Sequence, residues 1–488
     1  MARLHFRFNP FTHLFDSAGI PESLRRSLFY VVVSIMFGTV STIVTTGAAW
    51  TGFLRRLGAD AFALGIIAAI PVAASSVQIL ISYWIERTGR RRELFLRVGL
   101  IGRFLWVPVG LIPFFVPMNP DGLRVAIVML FVAVCSCSNA IISVGFFSLV
   151  TDIVPMRIRG RYFSARAMVS LIIAVITGLL ISLLIDHTSG YTGYTIALII
   201  AGLFGAADIA CFLRVDWPEM KRSDTKPPSL PSMIAAVWKH ADFRRIMLVM
   251  TCWGFVVNLA APFYNLYMLE VVRMSYTRIT LINQVVPNVT GALVIAWWGR
   301  RMDEYGNKPV MRTAGVAAMI YPLLFMASGA GVFGMLIVAN MLSGLMTYAF
   351  ELGSQNLYMN AAPDMNRSMF LSVYFACTQL LGNAIASSTG GYLLENVTPS
   401  LERLGWTFFG FPMTRYHYLF LLSGILRITF MLILLPTVRE DSSQPVRRLV
   451  VDSSREISRN ASVFVHSIVY SIRRKRLRRK MTDSGGES

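Results

Sequence analysis

The chain has 488 residues, of which 55% are hydrophobic and only 15% charged, with a mean hydropathy of +0.57. So little polarity excludes a water-soluble globular protein of this length. The formal net charge of +20 would suggest nucleic acid in a soluble chain, but basic loops facing anionic lipid account for it here, and no nucleic-acid partner is expected.

Residues 1–26 read as a cytoplasmic leader, with Arg3, Arg7, Arg25 and Arg26 and no small-residue cleavage site after a short apolar core. Twelve apolar runs follow, each long enough to cross about 30 Å of hydrocarbon as a helix. They cover 27–49, 61–84, 94–117, 124–150, 165–186, 192–214, 245–269, 279–298, 309–329, 331–354, 368–393 and 416–437. The polar end of the tenth is poorly marked, and it could continue toward Met359. The predicted fold class is therefore an all-α polytopic membrane protein with twelve transmembrane helices. A first six-helix half spans 27–215 and a second spans 245–438. Between them, 216–244 reads as a cytoplasmic linker carrying Pro218, Pro227, Pro228 and Pro231, and 439–488 forms a basic tail. Of the 46 Lys and Arg residues, 37 fall in or beside loops on the side of the chain ends and 7 on the other side, which predicts cytoplasmic termini.

Cys135, Cys137, Cys211, Cys252 and Cys377 all sit inside apolar runs, so neither a disulfide framework nor a metal site is expected. No cofactor is expected. The histidines are scattered, no H-E-x-x-H appears, and no Gly-x-x-x-x-Gly-Lys-Ser/Thr phosphate loop appears. A non-enzymatic protein driven by a gradient fits better than an enzyme or a nucleotide-driven pump.

Two basic loops repeat about 217 residues apart. The first reads Ser82-Tyr-Trp-Ile-Glu86-Arg87-Thr-Gly89-Arg90-Arg91-Arg92, and the second Gly299-Arg300-Arg301-Met-Asp303-Glu304-Tyr-Gly306-Asn-Lys308-Pro309. Glu86 aligns with Asp303, Gly89 with Gly306 and Arg91 with Lys308. A second echo links Pro155-Met-Arg-Ile-Arg159 to Pro363-Asp-Met-Asn-Arg367, and at the same offset Gly145 matches Gly353 and Leu149 matches Leu357. Two similar membrane-embedded halves are how many secondary transporters are built.

Over about residues 25–438, this pattern of Gly-x-x-x-Asp-x-x-Gly-Arg-Arg/Lys between spans two and three, echoed between eight and nine, resembles the signature of the major facilitator superfamily. Ser82 and Glu86 depart from it in the first copy. The resemblance implies alternating access to a midplane site for a small-molecule substrate. It also implies that Glu86 meets the start of span eleven near Ser368, and Asp303 the start of span five near Ser164. A carboxylate at a helix N-terminus gains about 0.3–1 kcal/mol. With Gly89 and Gly306 at the turns and Arg90, Arg91 and Lys308 beside them, the two loops would form a cytoplasmic latch.

Four ionisable residues lie clear of the span ends, where each is a candidate for function: Arg103, Asp208, Glu351 and Arg427. Arg103 and Asp208 lie at depths that agree to about 3 Å, and the resemblance places spans three and six side by side, which favours a structural pair. Glu351 sits in span ten, which the resemblance assigns to the central cavity, with Tyr348 and Gln355 near its helical face. It is suited to binding and releasing a proton, the expected coupling ion, or to attracting a cationic group on the cargo. Arg427, on a helix the resemblance makes peripheral, reads as structural. Further cavity candidates are Trp253, Asn258, Tyr264 and Asn265 of span seven, Thr42, Thr45 and Thr46 of span one, and Gln284 and Asn288 of span eight. Such a mostly neutral set disfavours a polyanionic cargo. Span five lacks the Gly-Pro-x-x-Gly-Gly element of many proton-driven exporters in the family.

In the tail, Val450, Ile457, Phe464, Ile468 and Ile472 follow helical spacing and precede a basic cluster at 473–480, a pattern suited to anionic inner-leaflet lipid. The expected function is secondary active transport of a small solute, coupled to protons, in a plasma membrane such as a bacterial inner membrane. A transporter-fold sensor without turnover, or a membrane-embedded lipid-modifying enzyme, are the alternatives.

Overall fold

Eleven helices among the described residues are long and apolar enough to cross a bilayer. The computed structural model describes residues 21–117, 122–218, 230–329, 332–363, 367–408, 410–440 and 444–455. The second span is the exception in length, because it is made of two pieces, Ala61–Ser75 and Gln78–Thr88. Pro71 lies in the first piece, where it has no N–H to offer the carbonyl four residues back. The others are Glu22–Val44, Arg91–Phe115, Leu123–Ile153, Arg159–Asp186, Thr192–Arg214, Ala241–Glu270, Tyr276–Tyr305, Asn307–Met326, Gly334–Ala361, Met369–Glu402 and Arg415–Thr437. The tenth span continues to Ala361, past the end that hydropathy marks, so Tyr348, Glu351, Gln355 and Asn356 all lie on one continuous helix.

The outer surface is apolar. Phe115 is 79% exposed and Leu293 77% exposed, which hydrocarbon tolerates and water does not. The chain is an integral, multi-pass membrane protein of two repeats. The repeat is visible in the packing: span one lies on span five and span three on span six, while span seven lies on span eleven and span nine on span twelve. Across the halves, span two packs on span eleven and span five on span eight. Gly65 makes the first of these crossings possible, since a Cβ there would stand 2.5 Å from the Ser387 carbonyl oxygen and 3.2 Å from Gly391 Cα.

The segment read as a linker is not irregular throughout. Its described part contains the helix Leu230–Lys239, whose Met233 and Val237 are buried with Phe243 and Phe370 of the second half. The start of the tail is also bound to protein. A helix over 446–455 buries Leu449 among Trp298, Met302 and Tyr305, while Gln444 N donates to Tyr305 O at 2.9 Å and Tyr305 Oη to Asp452 Oδ2 at 2.8 Å. Of the expected lipid-facing residues, Val450 is exposed; Ile457, Phe464, Ile468, Ile472 and the basic cluster lie outside the described residues.

Candidate functional site

Both repeated loops turn on a glycine with positive φ, +67° at Gly89 and +91° at Gly306, a conformation open to residues without Cβ. The basic residues beside them stay within their own halves. Arg91 is buried and donates to Ser148 Oγ at 2.7 Å, to Asp152 Oδ2 at 2.6 Å and to Pro218 O at 3.2 Å, with its guanidinium over the Trp217 ring. Lys308 Nζ donates to Pro436 O at 2.8 Å and Val438 O at 2.7 Å. Glu440 caps the same helix by accepting from the backbone of Asn307 and Lys308, each at 2.8 Å. Arg90 is exposed.

The expected reach of Asp303 across the halves is not made in this conformation. Asp303 and Ser164 are both exposed, and among the described residues Asp303 has no hydrogen bond or ion pair. The side chains of Glu86 and Ser368 are not among those described. The physical reason is that the halves meet at the other face of the molecule, away from the chain ends.

At that opposite face the same chemistry recurs in residues the sequence analysis did not select. Asp186, the last residue of span five, accepts from the backbone N–H of Tyr276 and Thr277 at the start of span eight, each at 2.9 Å, and from Thr277 Oγ1 at 2.6 Å. Glu395 of span eleven accepts from Ala61 N at the start of span two at 3.2 Å. Each is a carboxylate of one half set on a helix N-terminus of the other, where four N–H groups lack helical partners. Arg55 joins Glu270, which also binds Arg415 at 3.3 Å, and Arg415 stands 3.7 Å from Glu395. Below them Ser182 and Thr280 share a 2.6 Å hydrogen bond, as do Tyr194 and Tyr276. A signal existed: Glu395 follows Asp186 by 209 residues, close to the offset of the other repeat motifs.

Inside this closure lies a cavity of about 660 Å³ between the halves. Of the candidates, Glu351, Trp253, Tyr264 and Asn265 line it, together with Thr46 and Gln284. Asn265 accepts from Asn283 Nδ2 at 2.7 Å. Asn258 turns instead to span eleven, donating to Asn383 Oδ1 at 2.9 Å, and so acts as a link between helices. Tyr348 is not in the lining; its hydroxyl donates to Asn288 Oδ1 at 3.4 Å. Gln355 is exposed but also outside the lining, one turn beyond Glu351. Thr42 and Thr45 hydrogen-bond back to their own helix, at 2.9 Å to Gly38 O and to Ser41 O.

Arg427, read as structural on a peripheral helix, also borders the cavity. It is 4% exposed and lines the cavity, with Nη1 donating to Ala318 O at 2.9 Å and the guanidinium 5.9 Å from the Tyr321 ring centre. Among the described residues neither Arg427 nor Glu351 has a partner of opposite charge. In the first half, Arg103 Nη2 stands 3.5 Å from Asp208 Oδ2, away from the cavity. Arg166, not selected from the sequence, stacks 4.3 Å from the centre of the Phe146 ring near that pair.

The profile of the Major Facilitator Superfamily matches residues 28–294 and again 282–472. No curated protein matches the sequence. Among solved structures, a bacterial homologue of the human lysosomal transporter Spinster, in an inward-facing and unoccupied conformation, is similar with a TM-score of 0.64 at 14% identity, covering 86% of this chain and 96% of that one. The nucleoside transporter NupG aligns with a TM-score of 0.61 at 13% identity over 86% of this chain and all of that one. A bacterial homologue of the iron transporter ferroportin, in an inward-facing state, gives 0.59 at 14% identity over 86% and 100%. At these identities the likeness is one of fold.

Proposed function

The chain belongs to the major facilitator superfamily of membrane transporters, and from that premise we propose that it carries a small solute by alternating access, coupled to protons through Glu351. The observation that carries this reading is the cavity between the two halves, closed at one face by contacts between them and containing a carboxylate without a cationic partner among the described residues. The bias of Lys and Arg sets the chain ends in the cytoplasm. On that orientation the closed face is extracytoplasmic, and the conformation is inward-facing.

The switch then becomes an exchange of like for like. Closing the outer face places Asp186 and Glu395 on the N-termini of spans eight and two. Closing the inner face would release them and place Asp303 and Glu86 on the N-termini of spans five and eleven. Trading two such contacts for two keeps the states close in energy, so modest differences in binding can shift the population. No phosphate loop is needed, because an ion gradient supplies the bias. The basic end of the tail would hold anionic lipid at the inner leaflet.

The test is reconstitution in liposomes with a pH gradient imposed in either direction, wild type beside Glu351→Gln. Internal pH is followed while a mixed library of metabolites, sugars, amino acids and drugs is added. Solute-dependent proton movement in wild type, lost in Glu351→Gln, is the expected result. Solute flux with no proton movement, or coupling that survives the substitution, overturns the role of Glu351.

A further inference from the structure

We propose that the cargo carries a single carboxylate group, held by Arg427 and the hydroxyl of Tyr264. This deepens the transporter reading above and rests on it. Arg427 Nε and Tyr264 Oη are both buried without a hydrogen-bond partner among the described residues, and both side chains line the same cavity. They are 4% and 6% exposed. Tyr321, which also lines the cavity, joins them: its ring lies 5.0 Å from that of Tyr264 and 5.9 Å from the Arg427 guanidinium.

Buried donors left unmade are costly, and a carboxylate has two oxygens to meet two of them. Its charge also answers that of Arg427, which has no acidic partner among the described residues, and a planar guanidinium is well shaped for a carboxylate. Among the described residues, Arg427 is the one cation in the lining. A cargo with several phosphates would bring more negative charge than Arg427 could answer, whereas one carboxylate is matched. Glu351 stays available for the proton, on the separate helix of span ten. The remainder of the lining is neutral, with Asn265, Gln284 and Trp253 for the polar and flat parts of the cargo. A volume of about 660 Å³ suits a small organic molecule.

The test uses the full-length protein in nanodiscs and matched probes: lactate with lactamide, nicotinate with nicotinamide, and benzoate with benzamide and benzylamine. Binding is read from tryptophan fluorescence, since Trp253 lines the cavity, and from thermal stabilisation. At least one acid should bind tenfold or more tightly than its amide, and benzylamine should not compete. Arg427→Gln should weaken that binding at least tenfold, Tyr264→Phe severalfold, and Arg427→Lys less than Arg427→Gln. Melting of each variant without ligand, and binding by Arg427→Lys, separate loss of recognition from loss of fold. Amides that bind as well as acids, no binding by any acid, or an unaltered affinity in folded Arg427→Gln would each overturn the proposal. In liposomes the two readings part: an acid that binds through Arg427 without crossing sinks transport and leaves the site. Flux of a neutral solute that is indifferent to Arg427→Gln sinks the site and leaves transport.

Discussion

Arg91 and Lys308 occupy corresponding positions in the two halves, and each grips the chain where it leaves the last helix of its own half. Arg91 donates to the carbonyl of Pro218, beyond span six; Lys308 donates to those of Pro436 and Val438, at the end of span twelve. The loops thereby tie span three to the exit of span six, and span nine to the exit of span twelve.

Replacing these cations should loosen the halves individually. Arg91→Ala removes charge-assisted hydrogen bonds to Asp152 and Ser148 and is expected to lower stability by about 2–3 kcal/mol. Arg90→Ala, at an exposed neighbouring position, should stay within about 0.5 kcal/mol. Thermal melting in detergent compares the two, and equal effects would count against the buried clamp.

Asp186 and Glu395 bridge the halves at the closed face, beside the Arg55–Glu270 pair, so Asp186→Asn and Glu395→Gln should each favour opening there. The contact with a helix N-terminus is worth about 0.3–1 kcal/mol, more where direct hydrogen bonds add to it. In a chain with its five cysteines replaced, Thr46→Cys reports on the cavity. Labelling from the outside by an impermeant thiol reagent should rise severalfold with either substitution and further with both. Unchanged labelling in the double variant contradicts the gate.

Gly65→Ala addresses the same closure by sterics. The added methyl would meet backbone, Ser387 O at 2.5 Å and Gly391 Cα at 3.2 Å, and backbone cannot swing aside as a side chain does. Spans two and eleven should separate, raising outside labelling of Thr46→Cys and lowering the melting temperature. Gly160→Ala, with nothing within 4 Å of the new Cβ, is the control and should be neutral or stabilising by up to about 1 kcal/mol.

Arg103 and Asp208 are buried together in the first half, with Gly38 close against the carboxylate. Asp208→Asn leaves a buried guanidinium uncompensated and should cost about 3–5 kcal/mol, whereas Arg103→Met with Asp208→Leu should cost less than the sum of the single changes. A thermal-denaturation cycle gives the coupling. Additive losses would mean that the pair does not act as a pair.

Much of the architecture could be read from local patterns. Hydropathy located the crossings because a helix needs a fixed apolar length to span hydrocarbon, and the repeated loops divided the chain into two halves. Boundaries slipped where composition changes gradually, as at the end of span ten, and the helix inside the linker was hidden among prolines and charges.

The cavity was less legible. Glu351, Trp253, Tyr264 and Asn265 face it, yet Asn258, on the same span as Tyr264, turns to Asn383, and Arg427 reaches in from a span taken as peripheral. In water, an amphipathic stripe tells which side of a helix is buried. In lipid the outward and inward sides are both apolar, so sequence determines that a helix crosses but leaves its rotation and neighbours undetermined. The sequence by itself therefore determined the spans, the two halves, their linking loops and the charges they contain. Tertiary packing decided which charges meet: Asp186 and Glu395 on opposing helix ends, and Arg427 beside Tyr321 in the cavity. Those pairings arise between segments far apart in the chain, where only the geometry of packed helices brings the groups within reach.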